Sequence, residues 1–424
     1  MGGGLAGLSV GYHLERPYQI FERETVVGGT AGTYQDKGFT FDFAGHLLHL
    51  HNDYTKKLIR QLLKDNIYEC QRQAWIFSHE TYTRYPFQAN LYGLPEKVIQ
   101  ECYMGLLKAH QKKFTPRPNM PFKEWCLGLF GEGISKHFMF PYNEKLWTVP
   151  ATEMTADWCG QFVPRPKLED VLAGSLSDQE KAYGYNTSFL YPKKGGIQVL
   201  AQAMVKNKSR VQLGESLERI DWKAKKASFS SGREESYCDL VSCLPLIELL
   251  KRLDPLPQEL LAAYKKLKWA SMLCVNVGVK RAKISEKSWI YFPEKKFPFY
   301  RVGFPMNFTP YVVPQGCSSM YVEVAHQPHQ KLDQDKVFKE VHKGLIDAGI
   351  LKESDELPVV RFLDIHYAYV IYDKHRDASL EKIFNWLKKN SISSIGRYGA
   401  WKYSFMEEAI LDGKACAESL DKQA

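Results

Sequence analysis

The chain has 424 residues, long enough for two or three domains with sizeable cores, and its 44% hydrophobic and 25% charged residues exclude wholesale disorder and coiled coil. The 57 Lys and Arg exceed the 48 Asp and Glu by nine, but the excess is scattered and reads as solvated surface, compatible with an anionic ligand or peripheral membrane contact. No run of about 18 apolar residues and no basic stretch ahead of an apolar core occurs, so neither a membrane-spanning helix nor a secretory leader is expected.

In chain order, residues 5–14 carry a helical pattern and 18–22 read as a short strand. A glycine loop follows at Gly28, Gly29 and Gly32, then period-2 alternation over 39–43 running into Gly45-His46. Helices are expected at 54–64 and 95–113, the second opened by Pro95. From 114 to 190 the chain is rich in proline and aromatics, including Pro121, Pro141, Pro150 and Pro164, which suits loops and short helices lining a cavity. Gly195-Gly196 precedes a helix at 197–205, and alternating stretches at 210–230, 239–243, 271–280 and 318–325 predict strands. An apolar stretch at 245–253 reads as a packed helix, and helices return at 335–347, 378–388 and 405–419.

The nine cysteines form no C-x-x-C pair, which fits reduced thiols in a cytoplasmic protein without a metal site. No zinc-ligand pairs or aromatic RNA-binding signature point to nucleic acid.

Strands and helices alternate at both ends around a strand-rich middle. This predicts an α/β fold: a Rossmann-like domain assembled from 1–50, 191–268 and 355–424, interleaved with a mixed α+β substrate domain at 51–190 and 269–354. Gly2-Gly3-Gly4-Leu5-Ala6-Gly7 contains G-x-G-x-x-G. Gly2 allows the tight turn, Gly4 admits a pyrophosphate beside the backbone, and Gly7 lets the helix pack closely. Glu22, at the end of the next strand, stands where a carboxylate accepts hydrogen bonds from a ribose. The strand that should precede the fingerprint is missing, since only Met1 lies before Gly2. The strand running into Gly45-His46 is expected to deliver backbone and His46 to a ligand.

The series Gly2, Gly4, Gly7, Glu22, Gly28-Gly29, Gly45-His46 and Gly195-Gly196, with the block from Gly396-Arg397 to Ile410, resembles the flavin-dependent amine oxidases. It is closest to the branch of protoporphyrinogen oxidase-like proteins and UDP-galactopyranose mutase. The resemblance implies FAD. Gly2, Gly4 and Gly7 would lie at its pyrophosphate and Glu22 at its ribose. Gly28, Gly29, Thr30 and Gly45 would approach the flavin side, and Gly396, Arg397 and the helix opening at Met406 the ring and ribityl chain. An Arg and a helix N-terminus there favour an anionic reduced ring.

Tyr142-Asn143-Glu144-Lys145-Leu146-Trp147 is similar to the mutase segment that holds uracil. By the same resemblance Arg165, Arg301, Tyr369 and Tyr403 would clamp a diphosphate, with His46 beside the flavin. Two departures stand out: Ala44 and Gly45 precede His46 where a mutase has Gly-Pro, and Val370 follows Tyr369 in place of Pro. Trp147 also reads as core, and Arg165 and Arg301 as ion-pair partners of carboxylates such as Glu169 and Glu323. Three functions stay open. An oxidoreductase passing hydride from an organic small molecule to the flavin is placed slightly ahead. Next comes a nucleotide-sugar mutase using reduced flavin, and last a truncated flavoprotein without turnover.

Overall fold

The computed structural model describes residues 2–423 apart from Gln161, Ala182 and Tyr185. The helix Leu5–His13 buries Leu5, Ala6, Leu8 and Val10 together with Gly7, Ser9 and Gly11, so it belongs in an interior. It crosses the C-terminal helix Met406–Asp421 at Gly413, where an added Cβ would stand 2.5 Å from Ala6 O. Ser9 Oγ seals that crossing by donating to Ile410 O at 2.6 Å.

The side of the molecule around this first helix contains two parallel strand pairs, Ile20–Glu22 with Val211–Leu213 and Leu240–Ser242 with Ile392–Ser394. The pairs are not hydrogen-bonded to each other. Gly2 touches both: its N–H donates to Phe21 O at 2.8 Å, and a Cβ on it would meet Cys243 Cβ at 3.1 Å. A four-stranded sheet runs in the order Glu234–Ser236, Lys226–Phe229, Leu217–Asp221, Leu253–Asp254. It shares a core with the helices Leu246–Lys251, Gln258–Tyr264 and Arg376–Lys389.

The second body is a seven-stranded sheet. Its order is Val359–Val370, Trp269–Val279, Ser318–His326, Arg301–Gly303, Trp289–Tyr291, Ala74–Ser78, Thr81–Arg84. Trp269–Val279 is buried on both faces, as its run of Val, Leu, Met and Cys demands. Register decides what each face carries. Cys274 pairs with Glu323, Glu323 with Arg301, and Arg301 with Tyr291, so these side chains share one face. The neighbouring row Val275, Val322, Val302 and Ile290 faces the other way, into an apolar core with Val341 and Leu345 of helix Gln334–Asp347.

Three features differ from the sequence expectation. The proline-rich stretch is more helical than its composition suggests, with helices Phe122–Ile134, Phe140–Trp147 and Leu168–Leu176. Pro121 stands at the opening of the first, where a missing N–H costs nothing, Gly131 at φ +73° kinks that helix, and Pro141 follows a π-helical turn at Ser135–Met139 that leads straight into the second. Strand Val359–Val370 has no clean alternation because Arg361, Asp364 and His366 interrupt it, yet it pairs along Trp269–Val279. The stretch expected to open the last nucleotide-binding segment at 355 therefore starts inside the large sheet. Conversely, Leu58, Ile59 and Leu63 of helix Asp53–Leu63, expected in the substrate domain, pack with Leu5, Leu8 and Ile20 of the first helix and strand. Among the described residues no helix is long and apolar enough to cross a membrane.

Candidate active site

Backbone builds the first half of the site. Gly28 N–H donates to Gly3 O at 2.9 Å, bringing the second glycine turn against the fingerprint. Gly28 and Gly29 adopt φ +135° and +56°, a region that favours glycine, and a Cβ on Gly29 would stand 3.2 Å from Gly4 Cα. At Gly4 an added Cβ would meet nothing nearer than 3.9 Å, so space is open at the N-terminus of helix Leu5–His13. At Gly7 it would fall 2.0 Å from Gly2 O, so that glycine serves close packing. The buried Glu22 accepts from Gly3 N–H at 2.6 Å and from Glu24 N–H at 3.0 Å, holding the turn from behind. Thr30 is exposed at the rim of the loop.

A buried carboxylate that the sequence reading passed over ties this loop down. Asp42 Oδ1 accepts from Thr33 Oγ1 at 2.6 Å and from Ile197 N–H at 2.9 Å, and Oδ2 accepts from Tyr191 at 2.6 Å. Burial pushes its carboxyl up to about 6. Gln198, just past Gly195-Gly196, donates to Val27 O at 2.7 Å and accepts from Thr33 N–H at 3.3 Å. Asn276 of the large sheet donates to Asp42 O at 3.0 Å, linking the two bodies. The signal was the aspartate ending an alternating strand, and Thr33 is its partner across that hairpin, but nothing local says that Tyr191 and Ile197 converge on it too.

Side chains build the second half. Arg301 forks onto Glu323, Nε to Oε2 and Nη2 to Oε1, both at 2.6 Å, and Glu323 is 0% exposed. Such a bidentate pair fixes the guanidinium plane. The Tyr300 and Tyr369 hydroxyls stand 3.3 Å apart, and the rings of Tyr369 and Tyr403 lie 6.2 Å apart at 25°. Trp147 packs edge-on against Tyr369 at 5.5 Å and lies 5.8 Å from Tyr403. Lys145 donates to Phe292 O at 2.8 Å and Phe299 O at 3.2 Å, steadying the loop ahead of Tyr300-Arg301, and burial pulls its amine down to about 7.

Arg397 joins the halves. Its guanidinium lies 5.0 Å from the Tyr403 ring centre and 5.4 Å from that of Tyr369, and it donates to Ser404 O and to Ala368 O. Among the described residues no carboxylate pairs with it. Gly396, at φ +78°, lets this turn close on Ala6. Met406, half-buried, opens the last helix, and Glu408 accepts from Phe405 N–H at 2.8 Å to cap it. His46 hydrogen-bonds Ala44 O at 3.1 Å; burial pulls its imidazole down to about 4, so it is neutral at pH 7 and Nδ1 donates. Gly45 is the space that Tyr321 fills: a Cβ would stand 2.3 Å from the phenol oxygen.

Arg301, Tyr369, Tyr403 and Arg397 thus come together. Arg165 stands elsewhere, exposed, over the Trp125 ring at 5.3 Å, lining a separate cavity with His110 and Phe130. The polar atoms Tyr321 Oη, Trp158 Nε1 and Ser404 Oγ are buried without partners around this cluster. With the open glycine cradle they suit a large polar cofactor reaching from the first helix to the tyrosines.

A glycine cradle at a helix N-terminus thus stands beside a large sheet that bears an arginine–tyrosine cluster, a candidate site in two parts. The chain belongs to the flavin-containing amine oxidoreductase family, whose model matches residues 5–420, and membership implies a flavin cofactor. Its fold is similar to reduced UDP-galactopyranose mutase at 28% identity and TM-score 0.93, covering 100% of this chain and 93% of that one. A protein of Exiguobacterium sp. 255-15 assigned as a protoporphyrinogen oxidase matches at 16% identity and TM-score 0.75, over 100% and 98% of the two chains. Putrescine oxidase bound to putrescine matches at 15% and 0.68, over 99% and 98%. The last two likenesses bear on fold alone.

Proposed function

We propose that this chain is an FAD-dependent enzyme acting on a nucleotide diphosphate sugar, in the manner of a UDP-galactopyranose mutase. The observation that carries the reading is the convergence of Arg301, Tyr369, Tyr403 and Arg397 on one aromatic cleft. Arg301 and Glu323 cancel in charge, and among the described residues Arg397 has carbonyl and tyrosine partners but no carboxylate, which leaves its charge for an anionic ligand. Gly2, Gly4, Gly28 and Gly29 would hold the FAD phosphates, and Arg397 and Ser404 its ring end. When bound, reduced flavin supplies a nucleophilic nitrogen. The chain's own groups hold the sugar diphosphate: the phenols of Tyr369 and Tyr403 donate to phosphate oxygens, Trp147 and Tyr142 wall the base, and neutral His46 leaves the charge balance unchanged.

A second reading, hydride transfer from an organic substrate, is favoured by two observations. Arg301 is already forked onto Glu323, and Arg165 stands on Trp125. UDP titrated into oxidised and dithionite-reduced protein separates the two. A mutase shows a flavin absorbance change, larger in the reduced state, and converts UDP-galactopyranose only when reduced. Tyr369→Phe then weakens UDP about fivefold, the scale of one hydrogen bond of about 1 kcal/mol. No response in either state leaves the oxidoreductase.

A further inference from the structure

Helix Phe140–Trp147 carries Tyr142 and Trp147, the walls assigned to the base, and between them Lys145. Lys145 reaches across to the loop 292–300, which joins strands Trp289–Tyr291 and Arg301–Gly303. Its Nζ donates to Phe292 O at 2.8 Å, Glu294 O at 2.5 Å and Phe299 O at 3.2 Å, so all three donors of the ammonium are spent on the two arms of one hairpin. The lysine stands in for a missing rung of that hairpin. Phe292 N–H donates to Tyr300 O at 2.9 Å, but Tyr300 N–H turns away to Glu323 O at 3.0 Å. Among the described residues no backbone N–H donates to Phe292 O or Phe299 O. Phe292, Phe297 and Phe299 anchor the other side of the hairpin in an apolar core. At its base the rings of Tyr291 and Tyr300 meet Tyr142 at 5.3 and 6.4 Å, and Arg301 follows directly.

We propose that Lys145 is a positioning residue that, only as the ammonium, latches the Tyr291–Arg301 hairpin to the helix of Tyr142 and Trp147 and so tightens the cleft on an anionic ligand at lower pH. The consequence for the ligand rests on the mutase reading; the latch itself does not. A neutral amine has two N–H groups and a lone pair, and the lone pair would face one of the three carbonyls. Burial pulls this amine down to about 7, which brings the change into the neutral range. The surrounding charges are otherwise committed. On the hairpin, Glu294 favours the ammonium and is held by Lys296 at 3.9 Å and by His79 N–H at 3.3 Å, while Lys295 is exposed. On the neighbouring turn, Glu80 pairs with Lys296 at 3.4 Å, and His79 bonds His137 at 3.1 Å. His137 in turn meets Glu101 at 2.9 Å, which Lys136 also pairs at 2.7 Å. On the helix itself, Glu144 accepts from Ala151 N–H at 3.0 Å. The strands packed beneath the helix bring Cys274, whose thiol burial pushes well up, and Glu323, already forked onto Arg301.

Amide hydrogen exchange in the full flavin-loaded chain reads the latch without any substrate. Corrected for base-catalysed exchange, protection of the Phe292 and Tyr300 amides should fall about tenfold from about pH 6 to about pH 8.5, the scale of one hydrogen bond to a charged group. Lys145→Arg keeps a cation through that range and should hold its protection level, with His79, His137 and Glu294 unchanged. Lys145→Met should show at every pH the protection that wild type has at high pH. It should also bind UDP about tenfold more weakly than wild type at about pH 6 and equally at about pH 8.5. The proposal is overturned if wild-type protection is flat with pH, or if Lys145→Arg falls as wild type does. Both results stand whether or not Lys145→Met folds, and wild-type protection in a folded Lys145→Met at about pH 6 overturns the proposal equally. A wild type that takes up no UDP at any pH overturns the mutase reading alone, because the protection factors still decide the role of Lys145.

Discussion

The two halves of the site are made of different materials. The cradle at Gly2–Gly4 and Gly28–Gly29 is backbone, shaped by where a Cβ is absent. The cluster of Arg301, Tyr369, Tyr403 and Arg397 is side chain, drawn from three stretches of the large sheet and the C-terminal block. The cradle is robust to surface chemistry and fragile to any added methyl. The cluster depends instead on the buried Arg301–Glu323 pair that fixes its guanidinium.

The strongest test of that contrast is Glu323→Ala. It leaves the Arg301 guanidinium partly buried without its partner, and a broken buried pair costs about 3–5 kcal/mol. Urea unfolding should register this, while flavin content of the protein that remains folded stays near that of the wild type. Loss of flavin without loss of stability would merge the two halves into one.

Gly7→Ala probes the other half. A Cβ 2.0 Å from Gly2 O cannot be relieved by a side-chain rotation, so we expect about 3 kcal/mol of destabilisation, the upper end for overpacking. Gly4→Ala has 3.9 Å of room and should fold normally yet bind FAD poorly. Equal melting temperatures for the two variants would refute this division of labour between the glycines.

Asp42 sharpens the link between halves. Its carboxyl is raised from 3.8 to about 6, so the folded state holds that proton more tightly than the unfolded chain. The contribution is therefore most favourable below pH 4 and is lost as pH climbs through 6. By 1.36 kcal/mol per unit this amounts to about 3 kcal/mol. Relative to Asp42→Asn, wild type should lose stability from pH 4 to 6 and run parallel above that. A flat difference across the window would mean that the carboxyl is ordinary.

The smallest effect belongs to Arg165. Removing an exposed cation from the Trp125 face should cost about 0.5–1 kcal/mol. UDP affinity should not change with Arg165→Ala. A tenfold loss by calorimetry would show that Arg165 enters the cleft when ligand binds.

Much of this was legible before any coordinates. The glycine fingerprint, Glu22, Gly28-Gly29 and Gly396-Arg397 could be picked out because a backbone that must turn sharply needs glycine at set offsets, and offsets are written along the chain. Helix Leu5–His13, strand Trp269–Val279 and helix Met406–Asp421 were visible through apolar periodicity. Asp42 escaped notice because two of its donors, Tyr191 and Ile197, come from a segment about 150 residues away. The helices after Pro121 and Pro141 were hidden because proline marks a helix start and a loop alike.

What the sequence determined by itself, then, is the pair of glycine turns around the first helix and the flavin family to which the chain belongs, since both rest on local stereochemistry. Only the tertiary structure decided that Arg301 faces Glu323 and Tyr291, that Tyr369 reaches Tyr300, and that Arg165 stands apart on Trp125. The first two relations follow from strand register across segments far apart in the chain, where a slip of one residue would turn each side chain to the opposite face of the sheet, and the last from a loop packing on helix Phe122–Ile134.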